Sequence, residues 1–186
     1  MTGGLLLYAR ARQAPAALGG VLASAVLLML ATAGGTTDPR WTALATVAAA
    51  AAAAPGLGGQ DADLDRTAAI RWALLRAAHV LLIASVATLS LLAAQAVGTE
   101  PTTAGFLVRN AAGLTGLAAL GAVLFGAQHA WLPVVAWSAV ALFIPSDPDG
   151  LVGWLLAPPD AAPANWTAAV LMAVGITTYA LAGPRR

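Results

Sequence analysis

Seventeen charged side chains punctuate 186 residues, and the intervals between them decide what this chain can fold into. Residues 13–37, 41–60, 77–99, 110–146 and 161–184 hold no Asp, Glu, Lys or Arg at all. A membrane-spanning helix needs about 20 mainly apolar residues, and each run supplies that length. Only 9% of the chain is charged and 60% is hydrophobic, where a soluble domain has about a quarter of its residues charged. The reading is a polytopic, all-α membrane protein forming one transmembrane domain over residues 1–186. A soluble enzyme is excluded. So is a nucleic-acid binder, because the formal net charge is +1 and no basic tract exists. With no cysteine, the chain has no disulfide, thiolate metal site or cysteine nucleophile.

The 37-residue interval 110–146 sets the number of spans. A single helix of that length would measure about 55 Å against a hydrocarbon core of about 30 Å, so the segment must fold back. The break falls at Gly126-Ala127-Gln128-His129, just before Trp131 and Pro133, and the sequence Pro145-Ser146-Asp147-Pro148-Asp149-Gly150 ends the second half. Six spans follow, at about 16–33, 42–58, 78–97, 104–125, 129–145 and 165–182. The Arg residues orient them. With the N-terminus inside, Arg10, Arg12, Arg66, Arg71, Arg76, Arg185 and Arg186 are cytoplasmic, and only Arg40 and Arg109 fall outside. Both termini are therefore expected in the cytoplasm of a multi-pass protein of the cytoplasmic membrane. The apolar run Ala14 to Ala33 exceeds the usual signal-peptide h-region, so the first span is expected to be retained. No internal repeat is visible.

Much familiar membrane chemistry is missing from the sequence. No span carries an interior Asp, Glu or Lys of the kind that couples transport to an ion. There is no Gly-x-Ser-x-Gly, no His-Glu-x-x-His, and no Gly-rich phosphate loop ending in Lys. Catalytic residues and a metal site are accordingly not expected. Two His residues in separate segments, His79 and His129, make no ligand set.

Three segments concentrate the polar character. Residues 3–14, with Leu5, Leu6, Leu7 and Tyr8 ahead of Arg10 and Arg12, suit a short interfacial helix, or a tail that supplies positive charge to the cytoplasmic side. The loop between spans two and three holds Asp61, Asp63 and Asp65 at the start of a polar helix, where acids complement the helix dipole, followed by Arg66, Thr67, Arg71 and Arg76. Trp72, Arg76 and His79 are spaced i, i+4, i+7 and share a helix face of interfacial character. This loop reads either as an ordinary capped helix start or as a docking knob for a cytoplasmic partner. The third segment lies between spans five and six. Its apolar part, 151–157, is too short to cross a membrane and is bracketed by prolines, which suggests a re-entrant or interfacial element with Trp154 and Trp166 as interface anchors. Arg109 and Asn110, near the outer end of span four, are either a structural anchor or part of a polar vestibule.

This layout resembles the permease subunits of ABC exporters of the second type. The order is an interfacial lead-in, six spans, a polar helix between spans two and three, and a Pro/Trp-rich outer segment between spans five and six. The stretches Asp63-Leu64-Asp65-Arg66-Thr67-Ala68, Arg76-Ala77-Ala78-His79 and Val108 to Leu117 are similar to short actinobacterial permeases of that class. The resemblance implies a permease dimer, homomeric or heteromeric, working with a separate ATP-binding subunit that holds ATP and Mg²⁺. The chain itself would bind no cofactor. It also implies that Asp61, Asp63, Asp65, Arg66, Thr67 and Arg71 form the coupling helix that docks on the ATPase. Arg10 and Arg12 would belong to an elbow helix, with Trp72, Arg76 and His79 on the cytoplasmic face. Arg109, Asn110 and Trp154 are the candidates for a vestibule or exit. The largely apolar spans suggest a hydrophobic or amphiphilic cargo. The competing readings are a membrane scaffold or assembly protein without transport and a stand-alone secondary transporter.

Overall fold

The computed structural model describes residues 13–35, 38–58, 72–97, 102–143 and 152–185. Among them the protein is all-helical, with six α-helices: α1 (Ala14–Thr32), α2 (Pro39–Ala53), α3 (Trp72–Val97), α4 (Ala104–Phe125), α5 (Leu132–Phe143) and α6 (Ala162–Ala182). Three short 3-10 turns, Ala54–Leu57, Ala127–His129 and Gly153–Leu155, complete the described elements. Four helices, α1, α3, α4 and α6, are long and apolar enough to cross a membrane. The other two are shorter. The 15 residues of α2 and 12 of α5 rise about 22 and 18 Å at 1.5 Å per residue, less than a hydrocarbon core of about 30 Å.

Local chemistry sets the helix ends. At α2, Pro39 occupies the first turn, where a missing N–H costs nothing, and the Asp38 carboxylate accepts from the Arg40 N–H at 2.9 Å. At α4 the Thr103 hydroxyl accepts from the Phe106 N–H at 3.3 Å. Pro55 ends α2 by tightening its last turn into the 3-10 turn. Gly126 (φ 85) and Gly183 (φ 72) close α4 and α6 at positive φ, which a side chain would strain.

Helix α4 is the centre of the bundle. Of its most apolar 18-residue window 72% is buried, against 22–28% for the equivalent windows of α1, α3 and α6. Those three turn Leu22, Leu30, Leu82, Leu89, Trp166 and Leu181 outward, as helices facing hydrocarbon do. Small residues let the backbones approach. A Cβ added to Gly116 of α4 would land on the Leu171 carbonyl of α6, and one added to Gly175 of α6 would land on the Gly116 carbonyl. This reciprocal contact makes α4 and α6 the most extensively packed pair. A second cluster joins Val21, Ala25 and Leu28 of α1 to Ala45, Ala49, Ala87 and Leu91 of α2 and α3.

Candidate functional site

The candidate residues that are described fall into two groups, about 20 Å apart along α4, as measured by the 13 residues from Arg109 to Ala122. The remaining candidates, Arg10, Arg12, Asp61, Asp63, Asp65, Arg66, Thr67 and Arg71, lie outside the described residues.

The first group gathers where α2, α3 and α6 meet. The 3-10 turn that follows α2 presents two carbonyls inward. The Tyr179 hydroxyl of α6 donates to the Leu57 oxygen, and the His79 ring of α3 stands with Nε2 3.0 Å from the Gly56 oxygen. A carbonyl only accepts, so Nε2 carries the proton in this pairing. One turn earlier on α3, the Arg76 guanidinium donates to the Ala180 oxygen at 3.4 Å and lies against Gly183, where a Cβ would come within 3.0 Å of it. The chain end is tied in as well, since the Arg185 N–H donates to the Ala122 oxygen at 2.9 Å. Trp72, Arg76 and His79 do share a face, and Arg76 and His79 use it on neighbouring helices. Trp72 is half-buried, with its indole N–H unpartnered among the described residues.

At the other end Arg109 is 6% exposed, and its fork grips the segment before α6. Nη1 donates to the Pro158 oxygen and Nη2 to the Ala157 oxygen, each at 2.8 Å, while Nε donates to Asn110 Oδ1 at 3.2 Å. The guanidinium carbon sits 5.0 Å from the centroid of the Phe106 ring, within cation–π range. Asn110 is fully buried and donates to the Leu155 oxygen at 2.9 Å. Trp137 of α5 donates to the Val152 oxygen at 3.2 Å. The Trp154 ring lies over Gly113, so closely that a Cβ there would be 2.5 Å from the ring edge.

This geometry corrects one expectation. Trp154 is not an interface anchor; it is fully buried inside the chain, because Gly113 leaves a slot for its ring and Arg109, Asn110 and Trp137 hold the backbone around it. Trp166, at 71% exposed, keeps the outward position expected of an anchor. Residues 152–158 thus pack down onto α4 and α5.

Tyr179, Gly113, Gly116 and Gly175 were not singled out from the sequence. The available signals were a lone phenol near the end of an apolar span, which must find a partner when buried, and glycines inside apolar helices, which mark close approach. Among the described residues no group of three or more His, Cys, Asp or Glu stands together to hold a metal. Neither group supplies a nucleophile with an adjacent base. What the two ends can do is hold backbone: Arg76, His79 and Tyr179 at one and Arg109, Asn110 and Trp137 at the other bond main-chain carbonyls, while the Trp72 and Trp154 indole N–H groups have no partner among the described residues.

No protein-family model, no curated protein and no solved structure matches the chain.

Proposed function

We propose that this chain is the transmembrane permease subunit of an ATP-driven exporter, resembling the second type of ABC exporter. In this reading it sits in the cytoplasmic membrane with six spans and both termini inside. It pairs with a second permease, docks an ATP-binding subunit that carries ATP and Mg²⁺, and passes a hydrophobic or amphiphilic cargo by alternating access at the permease dimer interface. The four long apolar helices support the membrane part of this reading.

The observation that carries the rest is the anchoring of both borders of the polar segment 59–71. On one side the Leu57 and Gly56 carbonyls are bonded to Tyr179 and His79. On the other, Arg76, four residues into α3, is bonded to Ala180 of α6. A cytoplasmic segment that receives a push from an ATPase needs such fixed borders, because a push on a loose loop is lost in the loop. Here a displacement would pass to α6 and, through the Gly116–Gly175 contact, to the central α4. The outer segment, pinned by Arg109, would be the extracellular stop.

The deciding experiment is purification of the tagged full chain from its native membrane. The expected result is co-purification of a soluble subunit with a Gly-x-x-x-x-Gly-Lys-Ser/Thr loop. Changing Asp63→Arg together with Asp65→Arg should uncouple ATP hydrolysis from transport. A chain that purifies without an ATPase, while its membrane partners depend on it for assembly, would replace the permease reading with the scaffold one.

A further inference from the structure

An apolar groove runs down the outside of the bundle between α1 and α2. Its volume is about 500 Å³, within the range of small-molecule sites. Leu27, Leu28 and Ala31 form one wall, and Trp41, Leu44 and Ala48 form the other. Two lining side chains carry a polar group: Trp41, with its indole N–H at the Arg40 end, and Ser24, which already donates its hydroxyl to the Gly20 oxygen at 2.8 Å. Below Trp41 a polar ligand would therefore find nothing to bond in the groove, whereas hydrocarbon would lose nothing by entering.

Shape and charge narrow the occupant. From Trp41 to Ala48 the groove extends about 10 Å along α2, a large part of the roughly 15 Å that one leaflet of hydrocarbon provides. It is a cleft between two touching helices, and a third helix of about 10–12 Å diameter cannot enter it, so a second copy of the chain would bridge it rather than fill it. Its mouth lies at the end of the bundle that carries Arg109. There Arg40 sits at the i−4 and i−8 positions from Leu44 and Ala48, on the face that forms the wall, and it is exposed. Helical side chains lean toward the N-terminus, which directs the guanidinium out of the hydrocarbon to headgroup level. Trp41, half-exposed beside it, is the residue type that favours that level.

We infer that the α1–α2 groove is a binding site for one membrane phospholipid, with an acyl chain between Leu27 and Leu44 and the phosphate at Arg40. The site does not rest on the permease reading and needs no ATP-binding partner.

The test uses the full chain in nanodiscs of phosphatidylglycerol, transferred to detergent, washed, and weighed by native mass spectrometry. The expected result is about one retained phosphatidylglycerol per chain, falling about tenfold in Ala48→Phe, which fills the groove from an exposed position, and remaining in Leu22→Phe, which lies on α1 outside it. Should Ala48→Phe not fold, Leu44→Trp narrows the same wall. Diacylglycerol, which lacks the phosphate, should be retained less than phosphatidylglycerol by the unaltered chain and equally by Arg40→Gln. Retention unchanged by the filling variants overturns the site. Equal retention of the two lipids by the unaltered chain overturns the role of Arg40. A lipid-free dimer that Ala48→Phe dissociates overturns the proposal in favour of a second copy.

Discussion

The Tyr179 hydroxyl donates to the Leu57 carbonyl across 122 residues of sequence, joining the end of α6 to the turn that closes α2. Both partners are fully buried, so the bond has no water to replace it. Tyr179→Phe keeps the ring and leaves the Leu57 oxygen without its donor. An unsatisfied buried acceptor costs about 1–3 kcal/mol. The expected outcome is a lower unfolding midpoint in detergent with helix content unchanged, measured by circular dichroism. An unchanged midpoint would show that the bond contributes nothing.

The glycine contact between α4 and α6 makes a sharper demand. In Gly116→Ala and Gly175→Ala the new methyl meets backbone, which cannot rotate away. Overpacking of this kind costs about 1–3 kcal/mol, and the two changes together should cost less than their sum because both separate the same pair of helices. Gly19 of α1 is the control: nothing lies within 4 Å of a Cβ there, and replacing a helical glycine by alanine adds up to about 1 kcal/mol of helix propensity. Unfolding in a denaturant series on the four variants checks both directions.

Arg109 holds two consecutive carbonyls with one planar fork, a geometry an ammonium group cannot reproduce. Arg109→Lys keeps the charge and loses the fork. Amide hydrogen exchange should then rise through residues 152–158 and remain slow in the middle of α4. Uniformly faster exchange over the bundle would instead mean that Arg109 supports the whole fold.

Trp154 and Gly113 form a lock whose two halves can be tested against each other. Trp154→Ala empties a fully buried site and should destabilise by about 3–5 kcal/mol. Gly113→Ala presses a methyl into the ring and should destabilise as well. Combining Gly113→Ala with Trp154→Phe, a smaller ring, should recover part of the loss, so the double-mutant cycle has a non-zero interaction energy. Strict additivity of the two changes would count against the contact.

Much of the helix layout is legible in the charge intervals. Expected spans at 16–33, 104–125 and 165–182 correspond to α1 at Ala14–Thr32, α4 at Ala104–Phe125 and α6 at Ala162–Ala182. The expected span at 78–97 lies within α3, which starts at Trp72 and takes in Arg76, in line with a polar helix that runs into the span. A charge bounds an apolar interval without ending a helix, and Arg76, a good helix former, donates from within α3 to the Ala180 carbonyl. The segments expected at 42–58 and 129–145 are helical but shorter, cut by Pro55 at one and confined to Leu132–Phe143 at the other.

The candidate sites were legible only as residue types. Arg109 and Asn110 stood out as polar groups in an apolar run, but nothing local says whether they face water or protein. Trp154 and Trp166 occupy similar Pro-rich surroundings, and one is fully buried while the other is exposed. The difference is made 41 residues upstream, where Gly113 leaves room for one of the rings.

By itself the sequence determined that this chain is helical and suited to a membrane, because its charge-free intervals have the length of spanning helices, which satisfy their own backbone hydrogen bonds in hydrocarbon. It also marked some of the breaks between helices, such as Gly126 to His129, because Pro, Gly and Asp act over one or two turns. Only the tertiary structure decided that α4 is the centre, that Tyr179 meets Leu57, and that residues 152–158 fold inward. Those outcomes depend on glycine gaps and carbonyls lying dozens of residues apart in the sequence, and packing is the only process that brings them together.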